Sequence, residues 1–320
     1  MKDQAVRRGA TSGVELDDPR VSVIVPVRDG VEFLAASVES LVETGYPNLE
    51  VLIVDDGSKD GTLELALELS RRFPSVVRAL RHPDGGNHGP GASRNLGARA
   101  ADGAYLCFLD SDDVVLPHRF QRAVLLLESD ESIDAVCEPF LVDEGQGPFR
   151  AVLRLKPDRL QLGAGGRWHT DSILIRRDCF LEVGGFSERL RTCEDLVLWG
   201  KLGLTARIEN EGTEPVAIYR RHAGGTVNVL ENTLLAYLEI DAWARERSLN
   251  RRTKELLREA VWGKALYVGD RLRRAGRPAR AMRMLLAAVR RKPGFGVRRE
   301  LWKNLLGAAL DAGRGSWKNR

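Results

Sequence analysis

AYLCFLDSDD, residues 104–113, joins an apolar run directly to three carboxylates. Its first six residues have the composition of a buried strand, and Asp110, Asp112 and Asp113 follow at once. Carboxylates this close repel one another, so a chain tolerates them where a cation or another positive ligand binds. Because side chains alternate along an extended chain, Asp110 and Asp112 are expected on the same side. The stretch therefore predicts a buried strand with a ligand site at its end.

The composition is that of a globular protein with an uneven distribution of charge. Of the 320 residues, 43% are hydrophobic and 29% are charged, which are ordinary proportions for such a protein. Residues 251–320 contain 20 Lys+Arg against 5 Asp+Glu, whereas residues 1–250 contain 29 against 40. The acidic front and the basic tail are therefore expected to have different roles.

The sequence shows no membrane-spanning run and no signal peptide. Its apolar runs are shorter than the ~20 residues needed to cross a bilayer, and the polar N-terminus lacks an apolar core. No CxxC pair occurs among the cysteines, which are Cys107, Cys137, Cys179 and Cys193. We expect reduced, buried thiols in a cytoplasmic protein, with a disordered lead-in over residues 1–19.

Apolar runs alternate with helical patterns through the first half of the chain. This alternation predicts parallel βαβ units with helices on both faces of a sheet. The predicted strands are 21–27, 49–54, 76–80, 104–109 and 133–137, and the predicted helices are 31–42, 62–72, 92–101 and 116–128. Ligands bind beyond the carboxyl ends of such strands, where segments 55–58, 85–89 and 110–113 supply acids and glycines.

The second half changes from mixed to helical patterns. Its predicted elements are an irregular region at 145–166, strands at 172–176 and 214–219, a helix at 194–202, and helices alone from about Leu230. Residues 266–274 and 278–290 form a helix–turn–helix pair that resembles one tetratricopeptide-like unit. Because one unit cannot form a solenoid, we expect the pair to pack on the α/β domain.

Five segments carry a resemblance to a known family. They are VSVIVPVRDG (21–30), VLIVDDGSKDGT (51–62), GNHGPGASRNLGARAADGAYLCFLDSDD (86–113), VGGFSERLRTCEDLVLWGKL (183–202) and YRRH (219–222). In this order they resemble the inverting glycosyltransferases of family 2. The resemblance implies an α/β GT-A fold with a mainly parallel sheet over residues 20–228. Residues 229–320 are then a basic α-helical C-terminal extension.

The first two segments are implied to hold the donor nucleotide. By resemblance, Pro26, Asp29, Asp55 and Asp56 lie around the base and ribose, where a carboxylate accepts a hydrogen bond from the imide N–H of uracil. An Asp-Gly turn after a strand is also an ordinary turn. The family commonly has an aromatic residue after the first proline, whereas residues 26–29 read PVRD.

Asp110-Ser111-Asp112 matches the DxD motif of the family. The resemblance implies that Asp112 binds a divalent ion on the diphosphate, while Asp110 contacts the ribose or the ion. Oxygen ligands favour Mn²⁺ or Mg²⁺. The alternative is a helix N-cap before 116–128, which explains one acid but not three.

Basic side chains are expected to complete the donor site. Arg94 supplies a fixed positive charge near the phosphates and braces the acidic loop by resemblance. The glycines around it do not follow the first strand, so the dinucleotide-binding fingerprint fails on location. His222 falls where parts of the superfamily complete the metal site, and Arg220 and Arg221 are candidates for phosphate contact.

Glu194 and Asp195 open the helical pattern EDLVLW. An inverting transfer needs a base that takes the proton of the acceptor, and Asp195 is the candidate by resemblance, with Glu194 as support or alternate. Two acids at a helix start are also favoured by the helix dipole alone. Trp199 either lines the acceptor pocket or packs in the core.

The basic tail has three interpretations. It docks on an anionic membrane or a lipid-linked acceptor, it binds nucleic acid, or it is a solvated helical face. Nucleic acid is not expected, because only 6% of the residues are aromatic and no nucleic-acid motif is found.

The sequence thus predicts a metal-dependent inverting glycosyltransferase. It would move a sugar from a nucleoside diphosphate donor, a UDP-sugar, to a saccharide, lipid-linked, peptide or small-molecule acceptor, in the cytoplasm or at the inner membrane face. One alternative is a non-catalytic nucleotide-sugar-binding or scaffold relative, against which Asp112 and Asp195 argue. Another is a sugar-1-phosphate nucleotidyltransferase, which needs a Gly-rich basic loop that residues 26–30 do not supply.

Overall fold

The apolar runs of the first half build one central sheet. The computed structural model describes residues 18–145, 150–152, 169–210, 212–221 and 230–290. The strands are β1 (Val21–Val27), β2 (Leu49–Asp55), β3 (Val77–Arg81), β4 (Tyr105–Phe108), β5 (Val114–Val115), β6 (Ala135–Cys137), β7 (Phe140–Asp143), β8 (Arg150–Val152), β9 (Ile173–Arg176), β10 (Ile208–Glu209) and β11 (Ala217–Arg220). Seven of them form the central sheet in the order β10-β6-β9-β4-β1-β2-β3.

Most strands of this sheet run parallel. β1 pairs with β2 from Val21↔Leu49 to Val27↔Asp55 and with β4 from Val21↔Tyr105, in parallel on both sides. Only β9 among the described strands of this sheet is antiparallel to its neighbours β4 and β6. The carboxyl ends of β1, β2 and β4 therefore lie at one edge of the sheet.

Helices cover both faces of the sheet, as the alternation predicted. They are α1 (Val31–Glu43), α2 (Thr62–Arg72), α3 (Pro90–Ala100), α4 (Gln121–Ser129), α5 (Arg177–Glu182) and α6 (Glu194–Thr205). One core packs α1, α2 and α4 on the sheet, and a second packs α3, α5 and α6 on the opposite face. Gly97 lets α3 approach the sheet closely, since a Cβ there would lie 2.5 Å from Cγ2 of Ile24.

A second, four-stranded sheet lies beside the acidic turn. Its order is β5-β11-β7-β8, and β11 pairs with β5 at Ala217↔Val115. The sequence did not predict β5, β7 or β8, because strands of two to four residues show no clear periodicity. The predicted helix at 116–128 begins only at Gln121, so capping of that helix does not explain the acids at 110–113. Most of the predicted irregular region 145–166 lies outside the described residues.

Three further helices follow, namely α7 (Leu230–Arg245), α8 (Arg251–Arg274) and α9 (Pro278–Arg290). Their apolar faces share one core with Leu190, Cys193 and Val197, which belong to α6 and the segment before it. The predicted C-terminal helical extension is confirmed, and its last helix pair packs through α7 on the α/β part. None of the described helices is long and apolar enough to cross a membrane.

Candidate active site

The carboxylates at the ends of β2 and in the following turn are buried and hydrogen-bonded. Asp55 accepts hydrogen bonds from the backbone N–H groups of Gly57 and Ser58, and Nε of Arg81 lies 3.2 Å from its Oδ2. Asp56 accepts from the backbone of the loop before α3, at 2.6 Å from the N–H of His88. Both acids therefore hold loops at the carboxyl edge of the sheet, Asp55 the turn after β2 and Asp56 the loop before α3. Arg81 was not predicted as a site residue, because a charge at a strand end is common.

The segment after β1 closes against the same turn. Asp29 has a left-handed backbone, with φ of 49°. Its N–H donates to Oγ of Ser58 at 3.0 Å, and its Oδ1 accepts from the N–H of Lys59 at 2.8 Å. Pro26 is buried within β1 opposite Val54. Asp29 thus lies beside Asp55 at the edge where the predicted nucleoside site is expected.

Arg94 joins the acidic turn to the start of α6. Its guanidinium is buried and donates from Nη2 to Oδ1 of Asp110 at 2.5 Å and from Nη1 to Oε1 of Glu194 at 2.6 Å. Charge-assisted bonds of this kind are strong, and a planar guanidinium can serve two carboxylates at once. The charges of Asp110 and Glu194 outweigh burial and raise the pKa of Arg94. Arg94 therefore sets the distance between two predicted site segments.

The acids at 110–113 lie on a turn and not on a strand. β4 ends at Phe108, and the N–H of Asp113 donates to the carbonyl of Asp110 at 3.0 Å. Strand alternation therefore does not apply to these acids, and the reason for expecting Asp110 and Asp112 on one side is lost. The turn instead brings ligand atoms of Asp110, Asp113 and His169 within 4.8 Å of one another. Asp112 is half-buried beside them.

His169 and Asp171 complete this cluster and were not predicted. Nδ1 of His169 lies 2.9 Å from Oδ2 of Asp171, whose Oδ1 accepts from the N–H of Asp110 at 3.0 Å. Burial alone would lower the pKa of His169, yet the charge and hydrogen bond of Asp171 raise it to about 9. No motif in the sequence marks these residues, because HTD before a strand is not a distinctive pattern.

The buried carboxyls of the cluster have pKa values that are shifted in different directions. Burial, reinforced by the charge of Asp171, raises the pKa of Asp113 to about 12. The opposite direction holds for Asp171, because His169 and a hydrogen bond from Asp113 outweigh burial and lower its pKa. Burial also raises the pKa of Asp110 despite Arg94. The crowded acids thus shift the pKa values of one another, and the donor set of carboxylate oxygens and one imidazole nitrogen fits a hard divalent cation.

Arg220 holds the acidic turn from the second sheet. Its N–H donates to Oδ1 of Asp113 at 2.7 Å, and its Nε donates to the carbonyl of Asp112 at 2.5 Å. Arg221 pairs with Glu144, with Nη1 and Oε1 3.2 Å apart. His222 lies outside the described residues.

The two acids at the start of α6 have different environments. Glu194 is 7% exposed, and burial raises its pKa although Arg94 opposes the shift. Asp195 is half-buried, and its charge contributes to the raised pKa of His169. Asp195 therefore lies close enough to His169 for their charges to interact, whereas Glu194 forms an ion pair with Arg94. Trp199 packs in the core, with its ring centroid 6.5 Å from that of Phe186.

Solved structures share this fold, including the following two. S. aureus TarS 1-349 in complex with UDP-GlcNAc aligns over 86% of this chain and 82% of its own, with a TM-score of 0.69 and 19% identity. The mannosyltransferase PcManGT from Pyrobaculum calidifontis, in complex with GDP-Man and Mn²⁺, aligns over 95% and 84%, with a TM-score of 0.58 and 19% identity. These likenesses confirm the predicted GT-A fold.

Curated proteins from several bacteria are related to this chain in sequence. An uncharacterised glycosyltransferase of Rickettsia prowazekii is 28% identical over 69% of this chain and 70% of its own length. Another, from Haemophilus influenzae, is 33% identical over 55% of this chain and 59% of its length. The putative glycosyltransferase EpsE of Bacillus subtilis is 29% identical over 57% and 66%. The match spans only 31% of a longer Rickettsia felis relative.

The sequence profile of glycosyl transferase family 2 matches residues 22–183, which are half of the chain. The match begins in β1, contains the acidic turn, and ends after α5. It confirms both the predicted family and the prediction of a glycosyltransferase. The chain therefore belongs to glycosyl transferase family 2.

Proposed function

We propose that this chain transfers a sugar with inversion, in a metal-dependent reaction, from a UDP-sugar to a hydroxyl or another nucleophile of an acceptor. One observation carries the proposal: Arg94 binds Asp110 and Glu194 at once. This double contact places the start of α6, which bears Asp195, beside the acidic turn. A donor held at the turn would then present its anomeric carbon to a base on the opposite side.

The nucleoside of the donor is assigned to the carboxyl ends of β1 and β2. Asp29, Asp55 and Asp56 lie at these strand ends and in the turns that follow them, Pro26 lies in β1, and a carboxylate accepts hydrogen bonds without competing donors. The complex of TarS with UDP-GlcNAc supports a donor with a uracil base. The complex of PcManGT with GDP-Man shows that a protein of the same fold can instead bind a guanine nucleotide.

The diphosphate is assigned to the acidic turn. Asp110 and Asp112, with His222 by resemblance, would hold Mn²⁺ or Mg²⁺, and Asp113 and His169 lie beside them. A divalent ion bound there supplies positive charge that stabilises the leaving diphosphate. Arg94 and Arg220 keep the turn in place by their bonds to Asp110 and to the carbonyl of Asp112.

Asp195 is assigned as the base of the transfer. It takes the proton of the acceptor while the acceptor oxygen bonds to the anomeric carbon, and the bond to the nucleoside diphosphate breaks on the opposite face. Glu194 is unsuited to this step, because its carboxylate is buried against Arg94. It supports the base by orienting the first turn of α6.

The test is release of nucleoside diphosphate from UDP-GlcNAc, UDP-glucose and GDP-mannose with Mn²⁺ or Mg²⁺. We expect Asp112→Asn and Asp195→Asn each to lower turnover at least 100-fold. Asp195→Asn should keep its affinity for UDP and Mn²⁺ in calorimetry. Asp178→Asn is the matched control, since Asp178 is an exposed acid in the first turn of α5.

Other outcomes support the alternatives. Binding of UDP without metal and without turnover of any donor would indicate a non-catalytic relative. Release of pyrophosphate from UTP and a sugar 1-phosphate would indicate a nucleotidyltransferase. Full turnover by Asp195→Asn would reject Asp195 as the base.

We also propose that the turn between α8 and α9 touches the anionic inner face of a membrane, as a peripheral cytoplasmic protein would. Arg271, Arg274, Arg277, Arg280 and Arg283 are all exposed there. Acids compensate only part of this charge, through Asp270 with Arg274 and Glu231 with Arg280. Each basic residue near an anionic surface contributes about 1 kcal/mol.

Vesicle sedimentation tests this contact. We expect binding to phosphatidylglycerol vesicles that weakens with salt, and none to phosphatidylcholine. The double variant Arg271→Glu/Arg277→Glu should lose it, whereas Arg251→Glu/Arg252→Glu, at the other end of α8, should keep it. Equal loss of vesicle binding in both variants would indicate that the basic surface as a whole, and not this turn, makes the contact. Absence of binding by the wild type would reject the contact.

A further inference from the structure

Residues 184–193 lead directly into α6, and contacts from several elements hold this segment in place. Asn95 binds both backbone groups of Phe186, at 3.0 Å in each case. Nζ of the buried Lys201 donates to the carbonyl of Gly185 at 3.1 Å. Gly91 allows α3 to touch this segment, since a Cβ there would lie 2.3 Å from the carbonyl oxygen of Ser187. The position of the first turn of α6 is thus set by contacts, not by the helix itself.

Cys193, the residue directly before Glu194, has a strained backbone. Its φ and ψ are 64° and 19°, in the left-handed region, which costs an L-residue roughly 1–2 kcal/mol. It is also buried. Strain of this kind persists only where surrounding contacts determine the conformation, and it clusters at functional sites. Contacts with neighbouring residues must therefore hold Cys193, which directly precedes α6.

The first turns of α7 supply such contacts. Nδ2 of Asn232 donates to Oγ1 of Thr192 at 2.8 Å, and Oγ1 of Thr233 lies 3.9 Å from Sγ of Cys193. Two turns further on, Glu239 accepts a hydrogen bond from Oγ of Ser187 at 2.9 Å. α7 lies beyond the matched family segment, which ends at residue 183.

We infer that α7 is part of the catalytic scaffold and that Asn232 is a positioning residue for Asp195. Asn232 fixes Thr192, and Thr192 and Thr233 together hold Cys193 in the left-handed conformation. That conformation turns the chain so that Glu194 meets Arg94 and Asp195 comes within electrostatic range of His169. The inference rests on the proposed function of Asp195 as the base.

A misplaced base lowers the rate of the chemical step more than the affinity for the donor. Proton transfer requires the base within hydrogen-bond reach of the acceptor, and small displacements cost large factors in rate. The donor contacts assigned above lie on β1, β2 and the acidic turn, away from Asn232. A change at Asn232 should therefore separate kcat from KM.

The experiment compares three variants of the full chain. Asn232→Ala removes the bond to Thr192, whereas Asn232→Asp restores it with reversed polarity, because the Thr192 hydroxyl can donate to a carboxylate. Asn250→Ala is the control: Asn250 caps α8 and accepts from the N–H of Thr253 at 2.8 Å, so its loss also weakens the helical extension.

For Asn232→Ala we expect kcat for hydrolysis of UDP-GlcNAc, or of the donor that turns over fastest, to fall at least tenfold. KM for that donor should stay within twofold. Amide hydrogen exchange of residues 190–198 should rise at least tenfold. Asn232→Asp should recover most of both properties, and Asn250→Ala should change neither.

Two results would overturn the inference. One is unchanged exchange at 190–198 in Asn232→Ala. The other is a loss of rate that Asn250→Ala reproduces at equal loss of thermal stability, which would indicate a merely structural role. If the wild-type chain releases no diphosphate from any donor, the proposed function fails, while the exchange measurement still decides whether Asn232 positions the start of α6.

Discussion

Arg94 links two acidic parts of the candidate site through a single charged side chain. Its guanidinium contacts both Asp110 and Glu194, and it lies 5.0 Å from the ring centroid of Phe186. Removing one member of a buried charge network leaves the others uncompensated, which costs far more than the network contributes.

Replacement of Arg94 by methionine should therefore destabilise the protein strongly. We expect a loss of about 3–5 kcal/mol in the free energy of unfolding, measured with urea. Arg94→Lys should lose less, because an ammonium can reach one of the two carboxylates. Equal stability of Arg94→Met and the wild type would show that Asp110 and Glu194 do not depend on Arg94 for their charge.

The backbone of Cys193 gives a second prediction at this scale. Cys193→Gly should keep the stability of the wild type to within about 1 kcal/mol, because glycine adopts φ near 64° without penalty. Cys193→Val should lose about 2 kcal/mol or more, since a β-branched residue resists that conformation. The control is Cys137→Val, in strand β6, where a β-branched residue suits the backbone. Similar losses at both sites would point to side-chain volume instead of φ.

At the scale of elements, the position of Arg94 depends on how closely its helix, α3, packs on the sheet. Helix α3 packs on β1 and β2 through Gly97, whose missing Cβ leaves room for Ile24 and Val54. The same helix carries Arg94 and Asn95, and both reach the segment around α6. A shift of this one helix would therefore move both contacts.

Gly97→Ala should be destabilising despite the better helix propensity of alanine. The added Cβ would lie 2.5 Å from Cγ2 and 2.9 Å from Cγ1 of Ile24, and overpacking of this kind costs about 1–3 kcal/mol. Gly263→Ala is the matched change in α8, where a Cβ meets nothing within 4 Å, so it should stabilise by about 1 kcal/mol. A stable Gly97→Ala chain would show that α3 can move away from the sheet without loss.

At the scale of the whole molecule, the end of the sheet opposite the site is tied by a buried acid. Glu50 accepts a 2.5 Å bond from Oγ of Ser22 and a 3.0 Å bond from the N–H of Asp102, and its Oε1 lies 2.7 Å from Nη1 of Arg78. Burial raises its pKa, but these bonds outweigh burial and the net shift is downward. A lowered pKa means that Glu50 stabilises the fold when ionised.

Acid should therefore weaken the fold partly through Glu50. Its contribution is fully present above the ordinary glutamate pKa of about 4.5 and is lost as the pH falls through the lower, folded value. Glu50→Gln should be less stable than the wild type at pH 7 and lose less stability between pH 5 and pH 3. Glu68→Gln, on the exposed face of α2, is the control. A pH profile of Glu50→Gln that parallels the wild type would contradict this role.

The elements that the sequence predicted well are those whose surroundings repeat along the chain. The strand at 21–27 and the helix at 62–72 have the predicted bounds, since every residue of the first is buried and Gly61 precedes the second. The helix predicted at 116–128 begins five residues later than predicted, at Gln121, because residues 117–120 form turns. The second sheet was missed because its pairs join short strands far apart in sequence, such as Ile218 and Leu141.

The amino-acid sequence by itself determined the family, the α/β alternation and the acids at the strand ends. These follow from local composition and from motifs that lie within a few residues of one another. Only the tertiary structure decided that Asp110 meets His169, that Arg94 divides its charge between two acids, and that Asn232 holds the turn before Asp195. Such contacts join residues tens of positions apart, and their geometry depends on how helices and sheets pack, which no local pattern of residues encodes.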